Sequence, residues 1–207
     1  MQLSGEAAFA QAKPKCFFLE CDPGETKAPE PAPAPTISEP ALPRSQVAPR
    51  PSAPGQVCSS VGAIEHCASS KLAPQRDSQG RLATYGPEQM TDGQLDTAWV
   101  EAQNGNGEGE WVLVDLGDVH AISALEIYNG YHKSRSLFER NNRIRDYELV
   151  FSDGTRETGT LADRAGPLAI RFGQKIKARW VQLKVVSVYP GTKYKDTAIT
   201  ELRVIYD

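Results

Sequence analysis

Trp180-Val181-Gln182-Leu183-Lys184-Val185-Val186-Ser187-Val188 reads as a strand with one face in a core. Val181, Leu183 and Val185 alternate with Gln182 and Lys184, the period of two that a pleated backbone imposes on its side chains. Leu202, Val204 and Tyr206 flank Arg203 and Ile205 in the same way. Working outward, Glu110 to Leu116, Ile122 to Tyr128, Tyr147 to Phe151, Leu168 to Phe172 and Ile199 to Tyr206 are further short runs rich in Val, Ile, Leu, Tyr and Trp. Most are bounded by Gly, Asp, Asn or Pro, which punctuate strands. Helical periodicity is nearly absent, so the strands must pair antiparallel through short connections. Asp153-Gly154 carries the two-residue type I′ hairpin signal, in which both turn residues need positive φ. Six or more such strands predict an all-β sandwich or jelly roll.

Composition divides the chain before any motif does. All three tryptophans, all seven tyrosines and three of six phenylalanines lie in residues 68–207, so only that part can build a core. Nine of the fifteen prolines lie in residues 28–55. Proline fixes φ and lacks a donor, so this stretch prefers polyproline II and reads as a spacer with a reach of roughly 85 Å. A docking site for a proline-binding domain uses the same composition. The expected organisation is a short cysteine-bearing segment (1–27), a linker (28–55) and one domain (56–207). A net charge of −3 and a pI near 5.7 leave nothing to hold phosphate backbones or anionic lipid, which argues against nucleic acid. No apolar run is long enough for a membrane span.

Ala7-Ala8-Phe9-Ala10-Gln11-Ala12 has the small-residue character of a signal-peptide cleavage site, and points to a secreted or periplasmic protein. The four cysteines, Cys16, Cys21, Cys58 and Cys67, permit three connectivities. Their spacing points to Cys16 with Cys21 and Cys58 with Cys67, and a bridge over the second loop would stabilise by about 2.7 kcal/mol. Zinc, with His66 beside Cys67, and free structural thiols are the alternatives.

Tyr85-Gly86-Pro87-Glu88-Gln89-Met90-Thr91-Asp92-Gly93-Gln94-Leu95-Asp96-Thr97-Ala98-Trp99 resembles the opening signature of the discoidin, or coagulation factor type C, group of galactose-binding-like domains. Tyr128-Asn129-Gly130-Tyr131-His132-Lys133-Ser134, Asn141-Asn142-Arg143 and Tyr189-Pro190-Gly191-Thr192-Lys193-Tyr194 resemble a bacterial branch similar to the glycan-binding translocation domain of a secreted NAD glycohydrolase. The resemblance covers residues 68–207. It implies an eight-stranded antiparallel jelly-roll sandwich that binds through loops at one rim, with a structural calcium ion. Asp92 and Thr97 match positions that hold the ion in sugar-binding relatives, Glu201 matches a distant carboxylate, and backbone oxygens of Gln89, Gln94 and Thr200 would complete the shell. Six to eight hard oxygens suit calcium chemically. The plainer alternative makes Asp92 a turn residue bonding its own backbone.

The connection from Asn129 to Arg143 reads as a long irregular loop that mixes aromatic faces (Tyr131, Phe138), amides (Asn129, Asn141, Asn142) and cations (Lys133, Arg135, Arg140, Arg143). Sugars need that mixture: a ring face for the C–H side of a pyranose and polar donors for its hydroxyls. Tyr189, Lys193, Tyr194 and Asp196 form a second candidate loop, which the resemblance brings to the same rim. The excess of cations points to an acidic glycan. Internal packing of Tyr131 and backbone bonding by the Asn-Asn-Arg run are the structural alternatives. Trp99, Trp111 and Trp180 read as core. No nucleophile elbow, zinc-protease or phosphate-loop motif is present, and Gly105, Gly107 and Gly109 precede a strand, so no dinucleotide motif is formed. The expectation is a non-enzymatic module that binds glycan or cell-surface carbohydrate. The rival is the same fold gripping a protein partner in a secreted assembly.

Overall fold

The computed structural model describes residues 47–76 and 80–207. The expectations for the leader-like segment, for Cys16 and Cys21, and for the proline run before Val47 lie outside the described residues. Ten strands follow in order: β1 (Val57–Val61), β2 (Ile64–Ala68), β3 (Gln75–Arg76), β4 (Leu82–Ala83), β5 (Trp99–Val100), β6 (Trp111–Asn129), β7 (Arg143–Phe151), β8 (Arg156–Thr160), β9 (Leu168–Tyr189) and β10 (Ala198–Tyr206). Eight of them form one antiparallel hydrogen-bonded system in the order β1-β2-β6-β9-β7-β8, with β10 pairing β6 and β5, and this is the expected jelly roll.

Four of the expected runs fuse into two long strands. Glu110 to Leu116 and Ile122 to Tyr128 both lie in or beside β6, and Leu168 to Phe172 joins Trp180 to Val188 in β9. The β6–β9 ladder breaks register between Asp115 and His120, so each strand passes from one layer of the sandwich into the other. The first halves and second halves then face each other across a single core. Trp99, Phe151, Leu125, Ile127, Leu149 and Leu183 are among its fully buried side chains. Val181, Leu183 and Val185 sit in it as the alternation requires.

Gln182 and Trp180 show where simple alternation stops. Trp111, Leu113, Trp180 and Cys67 form a second buried cluster on the outer face of the first layer, covered by Ala48 and Ala53. Residues 47–56 therefore pack on the domain, and the last part of the expected linker belongs to the fold. Cys58 and Cys67 lie opposite each other in the β1–β2 register and are joined by a disulfide. That takes both residues out of the zinc and free-thiol alternatives.

Two local expectations change. Gly154 N–H donates to Phe151 O at 3.0 Å and Phe151 N–H to Thr155 O at 2.9 Å. The hairpin loop is thus Ser152-Asp153-Gly154, three residues with the closing glycine at φ 92, in place of the two-residue form. The connection after β6 is also less irregular than expected, because α1 (Arg135–Arg140) forms within it. Ser134 caps it, its hydroxyl accepting from Leu137 N–H at 3.1 Å.

Candidate functional site

The connection from Asn129 to Arg143 and the loop after β9 are laced together at one rim. Thr192 N–H donates to Glu139 O at 3.0 Å, Tyr194 N–H to Arg140 O at 2.8 Å, and Asn142 N–H to Asp196 O at 3.0 Å. The approach is so close at Gly191 that a Cβ there would stand 2.2 Å from Arg140 O. Only glycine fits between the two backbones.

Eight of the ten expected ligand residues fall into two groups, and Lys133 and Lys193 are exposed outside both. Asn129 is buried and staples β6 to β7, donating to Ile144 O at 2.7 Å and accepting from Ile144 N–H at 2.8 Å. Asn142 donates to Lys195 O and Asn106 O and accepts from Gly191 N–H. Arg143 is also buried: it makes a two-point contact with Asp163 at 2.8 and 3.0 Å, donates to Asn141 O at 2.8 Å, and lies over the Phe138 ring. Tyr189 donates its hydroxyl to Leu161 O at 3.0 Å. These four side chains spend their polar atoms on the protein and hold the rim in shape. Arg135 pairs with Glu139 on the exposed face of α1, and Lys133 and Arg140 are also exposed.

The second group lines an open cleft. Tyr131, Asn141, Tyr194 and Asp196 border a volume of about 140 Å³ together with Tyr85, Gln75 and Leu72. Tyr131 is mostly buried at its floor, packed among Ala98, Val100 and Ala198, and burial pushes its hydroxyl up to about 12. Tyr194 is exposed at the mouth, with Lys193 Nζ 5.1 Å from its ring centre. Tyr85 is half-buried, and its phenol is raised by burial first and then by Asp196 and Tyr194. The three groups therefore share one small space. Tyr85 stands first in the signature stretch, yet nothing in its spacing marked it as a cleft residue. Gln75 and Leu72 sit in a segment with no motif.

Behind the cleft, Glu101 is fully buried. It accepts from Gln103 N–H at 2.6 Å and Thr197 N–H at 3.2 Å, which ties the loop after β5 to the start of β10. Burial pushes its carboxyl up to about 7 against those two amides, with Asp196 and Glu110 adding to the rise. Glu110 is itself held by the hydroxyls of Ser69 and Ser70.

The signature loop brings Asp92, Gln94 and Thr97 together, as an Asx-type turn does. Asp92 accepts from Gln94 N–H at 2.9 Å, and the single hydroxyl proton of Thr97 is shared among the Asp92 carboxylate oxygens at 2.8 and 3.0 Å and Gln94 O at 3.2 Å. Glu201 arrives from β10. The Gly93 and Gln94 amides hydrogen-bond it, while burial and then Asp92 raise its carboxyl. One of its oxygens, Oε1, is buried without a partner. Two carboxylates at close quarters and an orphaned buried oxygen make a donor set of hard oxygens that fits a divalent cation such as calcium. The Thr200 hydroxyl is used within the protein, donating to Gly130 O and accepting from His132 N–H. Gln89 contributes a second buried, unpartnered side-chain oxygen, Oε1, in the preceding 3-10 turn (Pro87–Met90).

Residues 57–205 match the family described as the NAD glycohydrolase translocation F5/8 type C domain. Among solved structures, the chain is similar to the family 32 carbohydrate-binding module of Clostridium perfringens NanJ in complex with galactose, at 19% identity and TM-score 0.52 over 73% of this chain and 99% of that one. It is also similar to CpGH89CBM32-5 from Clostridium perfringens in complex with GalNAc-beta-1,3-galactose, at 19% identity and TM-score 0.48 over 70% and 96%. A third is the family 32 module of AlyQ in complex with 4,5-unsaturated mannuronic acid, at 16% identity and TM-score 0.45 over 72% and 98%. No curated protein matches the sequence. The similarity to the NanJ module concerns the fold, and the family match covers residues 57–205 of this chain.

Proposed function

Since the chain belongs to the NAD glycohydrolase translocation F5/8 type C domain family, we propose that it is a non-catalytic, exported module that binds glycan in the rim cleft. The observation that carries this reading is the convergence of Tyr85, Tyr194 and Asp196 on one open space where two rim loops meet. Tyr194 offers an exposed ring face to the C–H side of a sugar, and Asp196 accepts from hydroxyls. A volume of about 140 Å³ takes the edge of a single ring and leaves the rest of a glycan outside. Arg143 is committed to Asp163 and Lys193 reaches over the Tyr194 ring without lining the cleft, so an acidic sugar would meet in Asp196 a charge of its own sign. The cleft chemistry therefore favours a neutral, hydroxyl-rich ring over the acidic glycan expected from the cation count. Export accords with the Cys58–Cys67 disulfide, which needs an oxidising compartment.

Calcium belongs to the same proposal as a structural ion held by Asp92, Thr97 and Glu201 with backbone oxygens of the signature loop. It would neutralise the paired carboxylates and fasten that loop to β10.

Titration of neutral and acidic oligosaccharides on a glycan array tests the reading. Saturable binding lost in Tyr194→Ala and Asp196→Ala, with wild-type melting temperature retained, is the expected result; binding that survives both changes would move the site elsewhere. Melting with excess calcium and with chelator tests the ion, and equal temperatures would remove it. A protein partner is the second reading. It draws on another place, an apolar cleft of about 460 Å³ between the β1–β2 hairpin and β10 beside exposed Val61, Ile205 and Tyr206. A partner held there would be lost in Ile205→Asp and indifferent to Tyr194→Ala.

A further inference from the structure

A sheet of a sandwich ordinarily turns one apolar face to the core and a polar face to water. The first layer here also carries an apolar patch on its outer face. Trp111, Leu113 and Trp180 project away from the main core and are still 9%, 1% and 2% exposed. Residues 47–53, Val-Ala-Pro-Arg-Pro-Ser-Ala, are what covers them.

The contact has the parts of a recognition site. Trp180 donates its indole N–H to Ala48 O at 3.1 Å, and Ala48 N–H donates to Ser152 O at 2.7 Å. Arg50 reaches the Glu65 carboxylate and stands 3.3 Å from Asp115 Oδ2. Asp115 is almost fully buried and also holds Arg179 at 2.9 Å, so the groove ends in a fixed negative charge at the point where the segment brings its only cation. The segment is preorganised for such a seat. Pro49, Pro51 and Pro54 fix φ, and a following proline biases Ala48, Arg50 and Ala53 toward extended or polyproline II backbone. Val47, Ala48, Pro51 and Ala53 are half-buried, while Pro49, Arg50 and Ser52 are exposed. Aromatic-lined grooves that read proline-rich segments work on this principle: an indole donor for a carbonyl, an apolar floor, and little entropy left to lose. The segment leaves the groove by a single turn at Pro54-Gly55, closed by Gln56 N–H to Ala53 O at 3.1 Å. A cleft of about 510 Å³ remains beside it, toward Asp118 and Arg179.

We propose that the outer face carrying Trp111, Trp180 and Asp115 is a recognition groove for an arginine-bearing proline-rich segment, with residues 47–53 of the chain itself as its occupant. This use is separate from the glycan cleft and stands whether or not that reading does.

The test uses the full chain and a synthetic peptide of residues 46–53. In Arg50→Ala, the Trp180 indole proton should exchange with solvent at least about tenfold faster than in wild type, the size of effect expected when one charge-assisted contact is lost. The conservative Arg50→Lys should lie between the two. Added to the Arg50→Ala chain, the peptide should give a saturable change in tryptophan fluorescence. A peptide with alanine in place of its arginine should need at least about tenfold more to reach it. Two results overturn the proposal: an indole proton equally protected in wild type and Arg50→Ala, or fluorescence that either fails to saturate or responds alike to both peptides. Unchanged far-ultraviolet circular dichroism confirms that the variant being read is folded.

Discussion

Glu101→Gln isolates the buried acid behind the rim. In the folded protein the carboxyl keeps its proton to about pH 7, whereas in the unfolded chain it releases it near its ordinary 4.5. Between those values the folded state holds the extra proton, so this group's contribution is fully present below the unfolded value and is lost as pH rises through the folded one. The gap between 4.5 and about 7, at about 1.4 kcal/mol per pH unit, sets an upper bound of about 3 kcal/mol. Glutamine cannot ionise. It also turns an amide toward Gln103 N–H or Thr197 N–H, which costs about 1 to 2 kcal/mol at every pH. Other groups add slopes of their own; burial lowers His66 and His132, which act in the opposite sense, but they are common to both proteins. The readout is therefore a difference. Urea unfolding of wild type and Glu101→Gln from about pH 5 to about pH 8 should show the wild-type advantage shrinking by about 2 kcal/mol, and reversing where the glutamine offset is small. Two parallel stability curves would refute the reasoning, since they would mean that Glu101 is ionised in the fold as readily as outside it.

Arg143→Ala should cost about 2 kcal/mol in urea unfolding, because it strands the Phe138 and Asn141 carbonyls while the partly exposed Asp163 is rehydrated. Replacing both Cys58 and Cys67 by serine should lower stability by about 2.7 kcal/mol if chain entropy is the main term, with the same change on reducing the wild type. Gly191→Ala should loosen the rim more than the domain. Its Cβ meets Arg140 backbone at 2.2 Å, so amide exchange should accelerate at Thr192, Lys193 and Tyr194 while the β6–β9 ladder stays protected.

The layered core was legible because a two-residue period leaves a mark wherever one face is buried, as at Val181, Leu183 and Val185. What hid from the sequence was continuity. Leu168 to Phe172 and Trp180 to Val188 look like separate strands because the residues between them, Gly173 to Arg179, are polar or small apart from Ile176, yet the strand runs through. Trp180 and Trp111 read correctly as buried, but a period cannot say that their cover is a proline segment far away in the chain, 132 positions from Trp180 in the case of Ala48. At the rim, the two loops were picked out by composition and the structure laces them together. Composition could not tell a side chain aimed at a ligand from one aimed at a neighbouring carbonyl. Asn129, Asn142 and Arg143 have the chemistry of ligand contacts and make internal ones, whereas Tyr85 and Gln75 line the cleft without any local signal.

The division of labour at the rim also bears on how such a module diversifies. The amides and the guanidinium that lock the loops are fully engaged, while the exposed Gln75 and Tyr194 line the cleft and Lys193 reaches over the Tyr194 ring, with little of the fold depending on their side chains. On the proposed reading of the cleft, selectivity can therefore drift at the outer positions without tolls on foldedness, and a library confined to those three sites should yield new preferences from a stock of uniformly stable variants.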